Sequence, residues 1–65
     1  MRRTRAYYDC LKALTILQRS ESVSDLCRVV GRGRGSVSRA LLMLEKDKLV
    51  ALRDTGTGIQ AQIWD

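Results

Sequence analysis

The chain has 65 residues, 45% of them apolar, and carries 12 Lys and Arg against 7 Asp and Glu, a formal charge of +5. That length makes one small domain, which buries only roughly 60% of the surface it exposes when unfolded and has no room for the deep cleft of an enzyme. With no histidine and two cysteines a zinc site is not expected, and no apolar run approaches the roughly 18 residues that suggest a membrane span.

The opening MRRTR holds Arg2, Arg3 and Arg5. No long apolar segment follows, so residues 1–5 read as a basic arm and not as a secretory leader. A first helix is predicted over about 6–19. Tyr7, Cys10, Leu14 and Leu17 fall at helical spacing on one face, widened by Leu11 and Ala13, while Tyr8 and Ile16 lie off it. Asp9 in the first turn and Arg19 in the last suit the helix dipole.

Ser20, Glu21 and Ser22 break this pattern. Ser22, with Asp25 three residues on, is the expected N-cap of a second helix over about 23–30, with Ser24 as the alternative. Val23 fills the space between the two helices, Leu26, Cys27 and Val30 face inward, and Arg28 faces out. Gly31 then offers the positive φ with which helices often end.

The turn GRGRG, 31–35, has the alternating glycines of a phosphate loop but neither its GxxxxGK[ST] spacing nor a preceding strand. It reads as a permissive turn, with Gly33 or Gly35 in the N-cap region of a third helix over about 34–46. In that helix Val37, Ala40, Leu41 and Leu44 point to the core. Gly35, Arg39, Leu42 and Lys46 point away, flanked by Ser36 and Ser38. Leu42 and Met43 on the outer side are apolar where charge is normal; either they pack against the first helix or, with Tyr8 and Trp64, they are candidates for a homodimer contact.

Two β-rich runs around a loop with two glycines, about 49–53 and 59–64, form a hairpin. Ile59, Ala61 and Ile63 alternate with Gln60 and Gln62, so one face is buried and one is wet. The predicted core is Leu14, Leu17, Leu26, Val30, Val37, Leu41, Leu44 and Leu49. Cys10 and Cys27 lie on apolar helix faces and are expected to be reduced core residues of a cytoplasmic protein.

Two short helices joined by a tight turn are the layout of a helix-turn-helix, whose second helix lies in the major groove of DNA. The order helix, helix-turn-helix, hairpin is that of the winged helix: mainly α, three helices and a two-stranded wing. The residues resemble that family directly. Leu26-Cys27 stands where winged helices often have Leu-Ala, and Gly31, Val37, Ser38, Arg39, Leu41, Leu44, Glu45, Leu49 and Val50 match the pattern ending in "L..LE..GLV". The run ALLMLEKDKLV, the wing and the late Trp64 look most like FaeA-like regulators of bacterial pilus operons, and are also similar to MarR-type and other small phage or plasmid repressors. Lys48 departs from the pattern by occupying the usual glycine position, so either a non-glycine takes the left-handed conformation there or the connection differs. The GRGRG turn replaces the usual Ser or Thr cap.

The resemblance implies a sequence-specific regulator of transcription that binds double-stranded DNA; the phase of the third helix, opposite Val37, Ala40, Leu41 and Leu44, makes Arg39 the expected main base reader, helped by Arg34, Ser36 and Ser38. Arg2, Arg3, Arg5, Arg32, Lys46, Arg53, Thr55 and Thr57 would meet phosphates. Nine of the 12 basic residues are Arg, the side chain suited to forked contacts with phosphate or guanine. The rival reading is a winged helix that binds only protein. A non-binder should carry acids on the outer face of the third helix, whereas Glu45 and Asp47 sit only at its C-terminal end. No catalytic set, cofactor or small-molecule ligand is indicated.

Overall fold

The structure, a computed structural model, describes residues 4–56 and 58–64. Helix α1 spans Arg5–Leu17, strand β1 Glu21–Ser22, helix α2 Val23–Val30, helix α3 Arg34–Lys46, strand β2 Val50–Asp54 and strand β3 Ile59–Ile63. The strands form one antiparallel sheet in the order β1-β3-β2.

Helix α1 stops two residues before the expected end because Gln18 turns left-handed, φ 53°, and its N–H donates to the Leu14 carbonyl at 2.9 Å. Arg19 therefore lies beyond the helix, and neither it nor Asp9 compensates the dipole as expected. Arg19 pairs instead with its near neighbour Glu21 at 3.4 Å, and Asp9 with the distant Arg32 at 3.0 Å.

Helix α2 begins and ends as its residues dictate. The Ser22 hydroxyl accepts from the Asp25 N–H at 3.1 Å, a cap generally worth about 1 kcal/mol. At the other end Gly31 adopts φ 67°, and the N–H groups of Gly31 and Arg32 both donate to the Cys27 carbonyl. Gly33 is the N-cap of α3, which leaves Arg34 and Gly35 inside its first turn. Helix α3 closes with Lys48 at φ 60°: the Lys48 N–H reaches the Glu45 carbonyl and the Leu49 N–H reaches Leu44, each at 3.0 Å. That is the Schellman closure, made with lysine at the position glycine normally fills.

The wing has a third strand that the periodicity does not announce. Glu21 and Ser22 pair with Ala61 and Gln60, so the segment between α1 and α2 is clamped to the hairpin. The core then lies between the helices and one face of this sheet. Leu14, Leu26, Val37, Leu41 and Leu44 are fully buried, as the spacing predicts, together with Cys10, Val50 and Ala61.

Three predicted core positions differ. Leu17 and Val30 are half-buried, and Leu49 is 41% exposed. Beyond the left-handed turn at Lys48 the strand phase is set by Val50, whose partner is Ile63. Val50 and Leu52 face in, while Leu49 lies one pair further along, its carbonyl accepting from the Trp64 N–H at 3.0 Å. On β3, Ala61 is buried and Ile63 half-buried, but Ile59 near the wing tip is exposed. Met43, on the outer side of the predicted helix, is half-buried and packs against the core, and the largest contact of α3 is with α1. Tyr7 reinforces that contact by donating its hydroxyl to the Asp47 carboxylate.

Both cysteines are free thiols. Cys10 is buried and Cys27 half-buried. Burial, with Asp9 and Cys27 adding negative potential and Arg32 opposing it, pushes the Cys10 thiol up to about 11. It therefore stays neutral and packs as a small apolar group.

Candidate nucleic-acid interface

The burial of α3 fixes what it shows to solvent. Val37, Ala40, Leu41 and Leu44 are inside, so Arg34, Gly35, Ser36, Ser38, Arg39, Leu42 and Lys46 are all exposed. Gly33 brings no side-chain acceptor to the N-terminus, and the first turn holds no acid. The exposed N-terminal half of α3 is thus short or cationic throughout, a profile that can sink into a groove.

Gly35 has no structural requirement within the chain. A Cβ built there would meet nothing within 4 Å, and its helical backbone needs no positive φ. A helix-interior glycine still costs about 1 kcal/mol relative to alanine.

The residues assigned to bases divide between two flanks. Ser36 and Arg39 line a cleft of about 160 Å³ that also holds Thr4, Arg5, Ala6 and Arg32. Ser38 lies on the other flank, in a groove of about 340 Å³ between α3 and the wing, walled by Leu42, Leu52, Arg53 and Ile59. Arg34 is exposed in the first turn, on the Ser38 side of the helix at 100° per residue.

Among the residues assigned to phosphate, Arg5 and Arg32 are brought together at the first cleft. Arg53 faces outward from β2, and Thr55 starts the wing loop, where its hydroxyl and its N–H both donate to the Gly58 carbonyl, at 3.1 and 3.0 Å. The loop is further held by the Gly56 N–H donating to Asp54 at 2.9 Å, with Gly56 at φ 85°. Lys46 sits in the last turn of α3, about 18 Å along the axis from Arg34 at 1.5 Å per residue, and does not join the N-terminal group. Arg2, Arg3 and Thr57 lie outside the described residues. Of the candidate dimer contacts, Tyr8, Leu42 and Trp64 are exposed, and the Tyr8 ring packs edge-on against Tyr7 at 5.1 Å.

Sequence reasoning missed the part of Asp9. Its carboxylate accepts from Arg32 Nε at 3.0 Å, across 23 residues of chain, and no local signal reports a pairing over that distance. Among the described residues no group of His, Cys, Asp or Glu is placed to hold a metal ion, and no helix is long and apolar enough to cross a membrane.

Three helices followed by an antiparallel hairpin, with a short strand ahead of the second helix, make this a winged-helix fold. The fold matches a chain of BpsR from Bordetella bronchiseptica with a TM-score of 0.81 and 22% sequence identity. The match covers 92% of this chain and 44% of that one, so the chain spans less than half the length of its structural neighbour. BpsR binds DNA, and that binding is regulated by 6-hydroxynicotinic acid. No protein-family model matches the chain, and no curated protein does.

Proposed function

We propose that the chain is a sequence-specific double-stranded DNA-binding domain of a transcriptional regulator, reading the major groove with α3. The observation that carries this is the exposed N-terminal half of α3: Arg34, Gly35, Ser36, Ser38 and Arg39, held outward by the buried stripe on its reverse side. Recognition helices meet base edges with that half. Arg39 is the main base reader, supported by Arg34, Ser36 and Ser38. Arg5, Arg32, Lys46 and Arg53, with Arg2, Arg3 and Thr57, serve phosphates, where contacts position the protein without specifying sequence; Thr55, whose hydroxyl and N–H both donate to Gly58, holds the wing loop instead. The DNA binding of the structurally similar BpsR supports this reading. A second copy joined through Tyr8, Leu42 or Trp64 would suit a two-fold operator.

Gly35 provides the test. Nothing inside the chain asks for a glycine there, so close approach of the helix to DNA is the remaining reason to keep it. Gly35→Ala is expected to stabilise the fold by about 1 kcal/mol and to weaken binding to a duplex selected from a random pool by the purified protein. Thermal melting and fluorescence anisotropy measure the two effects. Failure of the pool to converge on any duplex, with the protein folded, defeats the reading.

A further inference from the structure

The cleft between the start of α1 and α3 is lined by three arginines, Arg5, Arg32 and Arg39, with Thr4, Ala6 and Ser36, in a volume of about 160 Å³. Three like charges around so small a space repel one another, and an anion between them relieves the repulsion. One of the three is also held in place. Arg32 is half-buried, with 31% of its side chain exposed, and its Nε donates to Asp9 at 3.0 Å. A guanidinium anchored through Nε keeps its plane fixed, and the N–H groups on its far edge point away from the anchor.

The cleft's place in the fold says which anion would meet it. A helix is about 10–12 Å across with its side chains, and the major groove is about 12 Å wide. A helix seated there has the sugar–phosphate backbone along its flank. The cleft lies on that flank of α3, where the start of α1 closes it.

We propose that Arg32, oriented by Asp9, clamps one DNA phosphate in this cleft together with Arg5. The proposal rests on the DNA reading above. It assigns Asp9 the part of a positioning residue: an acid on the DNA-facing side that strengthens binding to a polyanion. Simple charge repulsion demands the opposite, so the sign of one measurement decides between them.

The experiment is anisotropy with the whole chain on selected and scrambled duplexes at fixed salt. Asp9→Asn is expected to weaken binding to both alike, by up to about fivefold if the energy of an exposed pair is all spent on orientation. Asp9→Glu should recover part of the loss. In an Arg32→Ala background Asp9→Asn should change nothing further. Arg32→Ala itself should lower the salt slope by about 0.9, so that its deficit shrinks about threefold between 50 and 200 mM salt. Replacing single phosphates by methylphosphonate should reveal one position that matters to the parent protein and not to Arg32→Ala. If Asp9→Asn proves unfolded by circular dichroism, Arg32→Lys replaces it: the charge remains, the fork is lost, and affinity should fall with the slope unchanged. Tighter binding by folded Asp9→Asn, or losses that add in the double variant, would overturn the clamp and leave the DNA reading standing. Absence of duplex binding by the parent protein would overturn both.

Discussion

Leu41→Ala is expected to lower the melting temperature by at least about 10 °C and to leave the domain close to unfolded at room temperature. Leu41 is 1% exposed and belongs to the cluster that joins α1, α2, α3 and the sheet. Truncating a buried leucine costs about 2–5 kcal/mol, the transfer term plus the cavity left behind. Total stability at about 0.05–0.15 kcal/mol per residue is only roughly 3–10 kcal/mol for a chain this size. Each kcal/mol shifts the midpoint of so small a domain by about 4–8 °C. The control is one residue away: Leu42 is 58% exposed, and Leu42→Ala should stay within about 0.5 kcal/mol of the parent. Equal melting temperatures for the two variants, followed by circular dichroism, would show that the helix is turned the other way, and the assignment of its outer face would fall with it.

Most of the helical framework was legible because it is written locally. The core phase of α3 follows from four apolar residues at helical spacing. The ends of α2 follow from Ser22, which needs only the amide three residues on, and from Gly31, which needs only its own backbone. Of the two readings open at Lys48, the left-handed conformation is the one it takes.

What escaped depends on partners far along the chain. Strand β1 has two residues, too few to show any period, and exists only because β3 comes to lie beside it. Leu49 and Val50 are both good core residues by composition. Which one turns inward is decided by the Schellman closure at Lys48 and by the register with Ile63. Met43 sits at the border of the α3 stripe, and only the folded core half-buries it. The candidate site divides in the same way. The outer face of α3 was readable from the reverse of its core stripe. The three-arginine cleft was not, since it needs the start of α1 laid against α3 and Asp9 paired with Arg32.

That cleft sharpens the remaining question, which is what Arg39 does. Arg39→Ala is expected to weaken the selected duplex by about 1–3 kcal/mol, roughly five- to 150-fold, and a scrambled duplex of equal length far less. Arg39 is about 200° from the buried Val37 at 100° per residue, stands in the N-terminal half of α3, and is exposed. Its fork can meet the O6 and N7 of guanine together. Its neighbours pull the other way, because Arg5 and Arg32 share its cleft, and half to two-thirds of protein–DNA hydrogen bonds go to the backbone. The two roles separate in one comparison at fixed salt. A base reader loses discrimination, so the ratio of cognate to scrambled affinity collapses while the salt slope barely moves. A third phosphate ligand loses both affinities by one factor and lowers the slope by about 0.9. In that second outcome Arg34 and Ser38 remain on the exposed N-terminal half of α3, away from the cleft, and the reading of sequence passes to them. If neither affinity falls and the fold is intact, α3 is not the reading head.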